Sequence, residues 1–259
     1  MEYFRFGEGK ETFVILPGLS VQSVMPYADA VAEQYRLLSK DYTVYLFDRR
    51  KNLPDSYSVR EMADDTAEAM NALGLSDICL FGASQGGMIA LEIAVRRPEP
   101  VQKLILCSSA ACVTENLAES IDLWISLAKE KDAEGLYLSF GERVYPPEIY
   151  AGSRELLKEA AKTVTEEDLI RFIILAEGIR GYDVTEDLRK LQCPVLAIGS
   201  YDDQVIGPEG TEQITRMLSG REGFVSHMYD GFGHAAYDTA PDYVKRIFDF
   251  LKPQEASHS

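Results

Sequence analysis

Ser84 is the residue whose neighbours best suit a nucleophile. It lies in Gly82-Ala83-Ser84-Gln85-Gly86, the only G-x-S-x-G pattern of the chain. A strongly apolar run at 78–81 leads into this pattern, and an apolar helical pattern at 87–97 leads out of it. A tight turn from strand to helix strains its serine and holds the hydroxyl clear of neighbouring side chains. Glycines fit such a turn because backbones crowd there. The pattern therefore predicts a nucleophilic serine at position 84.

A serine hydroxyl is a poor nucleophile without a base, and the chain offers three histidines. His258 lies in the C-terminal tail, and His227 lies within the last apolar run, as a packed or surface strand residue. His234 follows that run in Gly231-Phe232-Gly233-His234, before the final helical pattern. The flanking glycines let a loop bend the imidazole over the edge of a sheet. We expect His234 to be the base.

The base in turn needs a carboxylate that sets its tautomer and stabilises the imidazolium. Asp202 and Asp203 stand directly after the apolar run at 195–198, between Ser84 and His234 in the chain. One of the two is expected to orient His234, and the other to cap the loop or face solvent. The residue types alone leave this choice open.

These residues need a scaffold, and the hydropathy pattern predicts one. Short runs that are almost continuously apolar alternate with longer helical patterns. The runs lie at 13–16, 42–47, 78–81, 104–107, 195–198 and 224–228, and the helical patterns at 25–39, 59–73, 87–97, 209–218 and 240–251. Continuous apolar runs are typical of strands covered on both faces. The fold class predicted is α/β, a mostly parallel central sheet with helices on both faces.

Residues 113–187 interrupt this alternation, because no convincing strand lies between them. Helices are predicted at 117–131, 133–140, 154–164 and 166–178. An all-helical insertion does not fit inside a sheet, so we expect it to form a cap over the carboxyl ends of the strands. The core then comprises 1–112 and 188–259. Apolar cap residues are interpreted as packing, with an acyl or aromatic pocket as the alternative; they include Trp124, Leu127, Leu136, Tyr137 and Phe140.

The chain resembles the α/β-hydrolase superfamily over nearly its full length, as a serine hydrolase with a helical cap. The order serine, aspartate, histidine is that of the family. Asp48-Arg49, Arg97-Pro98 and Gly233-His234 resemble further family motifs. Gly199-x-x-Asp202 matches the family's acid turn. The resemblance therefore implies a triad of Ser84, Asp202 and His234, with Asp202 preferred to Asp203.

The same resemblance implies an oxyanion hole made of the backbone N–H groups of Leu19 and Gln85. The family usually has His-Gly before the first of these, where this chain has Pro17-Gly18. The hydrogen bonds that such a histidine makes are therefore absent from the expected loop. The family's glycine-rich loop is also replaced, by Arg49-Arg50-Lys51-Asn52, of which we interpret the basic part as solvated.

Composition narrows the possible partners. The 26 basic and 42 acidic residues give a net charge of −16, which disfavours nucleic acids and anionic membranes. No apolar run is long enough to span a membrane, and no signal peptide is recognised at the start. The four cysteines are expected to be buried reduced thiols of a cytoplasmic protein. The absence of C-x-x-C and the small number of histidines argue against a metal site.

These expectations combine into one functional hypothesis. The protein is expected to hydrolyse an acyl bond of a small molecule, a carboxylic ester first, through an acyl-enzyme and without a cofactor or metal. Thioester, amide, lactone and carbon–carbon cleavage stay open, because one fold supports many chemistries. The alternatives are an acyltransferase on the same triad and a ligand-binding protein with little turnover. The sequence predicts neither the acyl length nor the oligomeric state.

Overall fold

The central sheet has seven strands in the order β1-β3-β2-β4-β5-β6-β7. In the computed structural model, which describes residues 1–252, only the β1–β3 pairing is antiparallel, and the other pairings are parallel. The strands are β1 (Tyr3–Phe6), β2 (Glu11–Leu16), β3 (Tyr42–Phe47), β4 (Ile78–Ala83), β5 (Val101–Cys107), β6 (Val195–Ser200) and β7 (Phe224–Tyr229). The tail with His258 lies outside the described residues. The predicted mostly parallel sheet is confirmed.

Strand β1 is the one strand that the hydropathy pattern did not predict. It has four residues, alternates between exposed and half-buried side chains, and lies at the edge of the sheet. So short an alternating segment buries little apolar surface, and its pairing with β3 is what defines it. The six runs that were predicted are nearly free of exposed side chains except in β7 at the opposite edge.

Helices cover both faces of the sheet. Outside the 113–187 segment they are α1 (Ala28–Gln34), α2 (Val59–Ala72), α3 (Gln85–Arg96), α8 (Pro208–Leu218), α9 (Ala236–Thr239) and α10 (Tyr243–Leu251). One core cluster contains Met62, Met88 and Ile214, and the other contains Tyr35 and Ile247. Thus α2, α3 and α8 pack on one face of the sheet, and α1 and α10 pack on the other face.

Two helix ends show how local sequence sets the boundaries. Ser58 caps α2 in a capping box in which Glu61 N–H donates to Ser58 Oγ and Ser58 N–H donates to the Glu61 carboxylate. The predicted helix at 240–251 is divided instead. The short helix α9 ends at Thr239, and α10 begins at Tyr243. Pro241 therefore lies between the two helices and not within either one.

Four helices lie between β5 and β6: α4 (Glu115–Lys129), α5 (Ala133–Val144), α6 (Pro147–Ala161) and α7 (Glu166–Glu177). The segment leaves and re-enters the core at adjacent backbones, because Cys112 and Asp183 form an antiparallel bridge. Val113 N–H also donates to Tyr182 O, and Val184 N–H donates to Ala111 O. The chain turns between α5 and α6 at Pro146-Pro147, and α6 starts at the second proline.

Strand β4 and helix α3 meet at a turn with no room for side chains. A Cβ on Gly86 would lie 2.1 Å from Leu16 O, and a Cβ on Gly82 would lie 2.3 Å from Gly86 O. Both contacts involve backbone atoms, which cannot rotate away as a side chain does. The first contact means that the loop after β2 presses directly against the start of α3.

Gly86→Ala is therefore expected to lower the free energy of unfolding by about 2 kcal/mol or more, because the added methyl group overlaps fixed backbone. Gly152→Ala is the matched control. Gly152 lies in α6 with open space around its Cβ position, so alanine should stabilise the helix by roughly 0.5–1 kcal/mol. Urea denaturation of both variants measures this. Equal stability of Gly86→Ala and the wild type would contradict the close approach.

Candidate active site

Ser84 occupies the turn between β4 and α3 in a strained conformation. Its φ of 52° and ψ of −122° are unusual for a residue with a side chain, and such strain costs of order 1–3 kcal/mol. Two contacts hold it: Ser84 N–H donates to Cys107 O at 2.8 Å, and Ser109 Oγ donates to Ser84 O at 2.9 Å. The neighbouring β5 end thus fixes the backbone that carries the hydroxyl.

The start of α3 faces this hydroxyl with unused backbone donors. The first intrahelical bonds run from Gly87 N–H and Met88 N–H to Ser84 O. Gln85 N–H precedes them, so the helix does not use it, and the N-terminus of a helix favours negative charge. Across the turn, a Cβ on Gly18 would lie 3.2 Å from Ser84 Cβ. The loop that carries Leu19 therefore lies directly beside Ser84.

His234 is paired with Asp203. Its Nδ1 lies 2.8 Å from Asp203 Oδ2, and both side chains are 3% exposed. The other carboxylate oxygen of Asp203 accepts hydrogen bonds from Val205 N–H at 2.8 Å and Ile206 N–H at 2.9 Å. With both oxygens occupied, the carboxylate is fixed in place, and it fixes the imidazole in turn.

The prediction that Asp202 orients His234 is wrong. The Asp202 carboxylate accepts hydrogen bonds from Ser200 Oγ at 2.6 Å, Gly233 N–H at 3.0 Å and Gly231 N–H at 3.1 Å. Partial burial opposes ionisation, but these hydrogen bonds outweigh it and lower the pKa of Asp202. Asp202 thus shapes the loop before His234. The Asp203 carboxylate instead contacts His234 and the backbone N–H groups of Val205 and Ile206. Of the two adjacent aspartates, Asp203 therefore orients the imidazole and Asp202 binds the glycine loop.

Ser84 and His234 line the same small chamber, which we name the reaction chamber. Its other walls include Gly18, Leu19, Leu117, Trp124, Phe140 and Tyr237. Its volume is about 20 Å³, and a water molecule needs roughly 10–15 Å³ measured in this way. Apart from Ser84 and His234, the lining is mainly apolar, and Trp124 and Tyr237 are its only other side chains with a polar atom among the described residues. Several belong to the helices between β5 and β6, which therefore lie over Ser84.

Arg49 supports the backbone around Ser84, a role that the sequence did not reveal. The side chain was expected in a solvated loop, but the residue is only 4% exposed. Its Nη2 donates to Pro17 O at 2.7 Å and to Gln85 Oε1 at 3.2 Å. Burial lowers the pKa of Arg49 to about 10. One guanidinium therefore joins the loop of Leu19 to the first residue of α3.

Helix α7 is tied to the same region by two further contacts. Gln85 Nε2 donates to Leu175 O at 2.7 Å. Arg171 Nη2 lies 2.8 Å from Asp48 Oδ1 in an ion pair that is mostly buried, and Arg171 Nη1 donates to Ser20 O at 3.4 Å. Nothing in the local sequence predicted the partners of Arg171, because they lie more than a hundred residues away.

Within residues 1–252, no cluster of three potential metal-ligating side chains occurs, and no helix is long and apolar enough to cross a membrane. Cys79, Cys107 and Cys193 are buried as predicted, whereas Cys112 is half-buried. Burial raises the pKa of Cys79 to about 11 and that of Cys107 to about 12, so both are protonated thiols at neutral pH.

Alignments with relatives of similar sequence cover most of this chain. Proteins named "Putative carbamate hydrolase RutD" are 24% identical over 230 residues in Rhizobium rhizogenes and 26% identical over 240 residues in Serratia proteamaculans. The first alignment covers 85% of this chain and 87% of that relative, and the second covers 89% and 86%.

Solved structures agree in fold. MGS-M2, an alpha/beta hydrolase enzyme from a Medee basin deep-sea metagenome library, has a TM-score of 0.87 at 22% identity, covering 100% of this chain and 96% of that one. The esterase EaEST from Exiguobacterium antarcticum has a TM-score of 0.78 at 22% identity, covering 97% and 95%. A model of the alpha/beta hydrolase fold matches residues 11–241. With that match over most of its length, the chain belongs to the alpha/beta hydrolase fold family.

Proposed function

We propose that this protein is a serine hydrolase that cleaves an acyl bond of a small molecule, a carboxylic ester in the first place. The observation that carries the proposal is the shared chamber of Ser84 and His234, with His234 Nδ1 held by Asp203 at 2.8 Å. The neutral imidazole donates its Nδ1–H to the carboxylate, which leaves Nε2 free to accept a proton. That is the tautomer that a general base needs.

The reaction follows from this arrangement in two halves. His234 Nε2 takes the proton of Ser84, and Oγ bonds to the carbonyl carbon while the carbonyl electrons move to oxygen. The resulting tetrahedral species collapses, the bond to the leaving alcohol breaks, and His234 returns the proton to that alcohol. Water then attacks the acyl-enzyme with His234 again as base. The carboxylic acid leaves and Ser84 is restored.

The negative oxygen of the tetrahedral species needs donors that are already in position. We assign this role to the N–H groups of Leu19 and Gln85. Arg49 supports this assignment, since it binds the carbonyl before Gly18 and the side chain of Gln85. A buried guanidinium thus replaces the support that the family's usual histidine gives to this loop. The helices in 113–187 act as the cap that excludes water, with the core divided into 1–112 and 188–259.

Carbamate hydrolysis, thioester hydrolysis and acyl transfer fit the same residues, and assays separate these activities from ester hydrolysis. A carbamate, as in the name of the curated relatives, and a thioester both present an acyl carbon bound to a heteroatom. An acyltransferase would pass the acyl group to an added alcohol or thiol instead of water. A binding protein with little turnover would show none of these reactions.

Ser84→Ala is expected to abolish covalent labelling by a fluorophosphonate probe and to reduce ester hydrolysis by about 10⁴-fold or more, because it removes the attacking oxygen. The assay compares wild type and variant on short p-nitrophenyl esters, a thioester and an aryl carbamate. Labelling that survives in the variant would exclude Ser84 as the nucleophile. Transfer product that outpaces free acid when an acceptor is added would indicate an acyltransferase.

Asp203→Asn and Asp202→Asn form a matched pair. Asparagine at 203 can present its amide to His234 and favour the wrong tautomer, so kcat should fall roughly a hundred- to ten-thousandfold. Asparagine at 202 keeps an oxygen acceptor for the glycine loop, so kcat should fall by less than about tenfold. Steady-state kinetics on one ester decide between them. A larger loss for Asp202→Asn would reverse the assignment.

Arg49→Met is expected to lower kcat by about ten- to a hundredfold with a smaller change in KM, because the donor groups for the oxyanion lose their support. Arg50→Met is the control, since Arg50 is 45% exposed and pairs with Asp65 away from the chamber. Circular dichroism checks folding. If Arg49→Met does not fold, Arg49→Lys, which retains a single cationic donor group, should show an intermediate loss. A folded Arg49→Met with wild-type kcat would contradict this role.

A further inference from the structure

A second cavity opens directly beside the reaction chamber. We name it the side groove; it is lined by the loop from Leu19 to Val24, by Tyr27, and by residues of α5 and α6 that include Tyr137, Phe140 and Leu157. Leu19 and Phe140 line both cavities. These two residues therefore lie between Ser84 and the groove. A substrate bound at Ser84 reaches the groove by displacing or passing these two side chains.

None of the described residues that line the groove carries an ionised side chain. Its lining consists of Leu, Val, Ser, Gln, Gly, Phe and Tyr residues. Burial raises the pKa values of Tyr137 and Tyr145 to about 12, so both phenols are neutral at physiological pH. A carboxylate, phosphate or ammonium group placed here would give up part of its hydration without gaining an opposite charge, which is costly.

The side chains of Ser20, Gln22, Ser23 and Tyr137 in the groove are hydrogen-bonded to the protein itself. Gln22 Nε2 donates to Asp168 Oδ2 at 3.0 Å, and its Oε1 accepts from Tyr137 OH at 3.2 Å. Ser20 Oγ donates to Gln22 O at 2.7 Å, and Ser23 Oγ accepts from Met25 N–H at 3.2 Å. A guest therefore meets mainly apolar surface, which selects an apolar group.

The two cavities differ greatly in size. The reaction chamber holds about 20 Å³ and the side groove about 260 Å³. A cavity of roughly 150 Å³ binds benzene, so by proportion the groove takes a group of about ten carbon atoms. The reaction chamber has room for the reacting atoms and little more. A substrate with one small side and one larger apolar side matches this pair of cavities.

The position of His234 decides which side is which. A general acid must lie within hydrogen-bond reach of the leaving atom. His234 lines the reaction chamber, whereas the groove lining contains no residue of the His234 loop. The leaving alcohol therefore departs within the small chamber. The groove begins at Leu19, whose N–H group is one of the proposed oxyanion donors. It receives the acyl chain, which is the substituent of the carbonyl carbon that does not leave.

We propose, resting on the serine hydrolase function above, that the natural substrates are neutral esters that join a medium-length or aromatic acyl group to a small alcohol. The acyl chain lies in the side groove against Phe140, Tyr137 and Leu157. The small alcohol takes its proton from His234 and leaves from the reaction chamber. Acids with a second carboxylate are excluded by the uncharged lining.

Isomeric esters test the orientation, because they differ only in which side is long. Methyl octanoate should exceed heptyl acetate in kcat/KM by about tenfold or more, and methyl phenylacetate should exceed benzyl acetate likewise. Methyl hexanoate should exceed the monomethyl ester of adipic acid by at least about tenfold. A preference for heptyl acetate and benzyl acetate would overturn the orientation, and equal rates for the charged and neutral esters would overturn the charge selection.

Leu157→Trp tests the location. The larger side chain projects into the groove, so the ratio of kcat/KM for methyl octanoate to that for methyl acetate should fall about tenfold or more. Leu156→Trp is the control on the same helix, because Leu156 is 73% exposed and lies outside the groove lining; both rates and their ratio should match the wild type. An unchanged ratio in folded Leu157→Trp would overturn the location.

Failure of this inference differs from failure of the proposed function. If Ser84 is labelled by a fluorophosphonate and short esters are hydrolysed, but heptyl acetate is preferred, only the assignment of the groove is lost. If no ester is hydrolysed and the probe leaves Ser84 unmodified, the serine hydrolase proposal itself is lost, and the groove assignment falls with it.

Discussion

The close backbone contact between the loop after β2 and the start of α3 is the constraint on which the rest of the site depends. Leu16 O approaches Gly86 so closely that a methyl group there would lie 2.1 Å away. This contact brings the loop that carries Leu19 and the helix start that carries Gln85 together beside Ser84, and the N–H groups of these two residues are the proposed donors to the oxyanion. Tight packing at this point transmits small displacements directly, because the contact is made by backbone atoms that cannot rotate away.

Two arginines, of which Arg49 is buried and Arg171 is partly buried, extend this contact to α7. Arg49 joins the β2 loop to Gln85, and Gln85 in turn donates to Leu175 O in α7. Arg171, also in α7, pairs with Asp48. Buried charges are costly unless they are paired or hydrogen-bonded, so these contacts favour one relative position of α7 and the core. The acidic protein thereby places cationic groups beside the donors that are proposed to meet a negative oxygen, which is where positive charge has the most effect.

Prediction from the sequence succeeded where one residue and its neighbours along the chain were sufficient. Six of seven strands and the turn at Ser84 were recognised in this way. Prediction failed where two distant segments decide the outcome. Strand β1 is defined by its pairing with β3. Arg49 is buried because its guanidinium donates hydrogen bonds to Pro17 O and Gln85 Oε1. The choice of Asp202 failed for a narrower reason, since adjacent side chains at the end of a strand point in different directions.

The sequence by itself determined that a mostly parallel sheet would carry a strained serine and a glycine-flanked histidine at its carboxyl edge, because hydropathy period and glycine placement act over a few residues. Only the tertiary structure decided that Asp203 meets His234, that two arginines support the backbone around Ser84, and that an uncharged groove adjoins a chamber of about 20 Å³. These features are made of contacts between segments far apart in the chain. Their geometry depends on packing in three dimensions, which residue spacing does not encode.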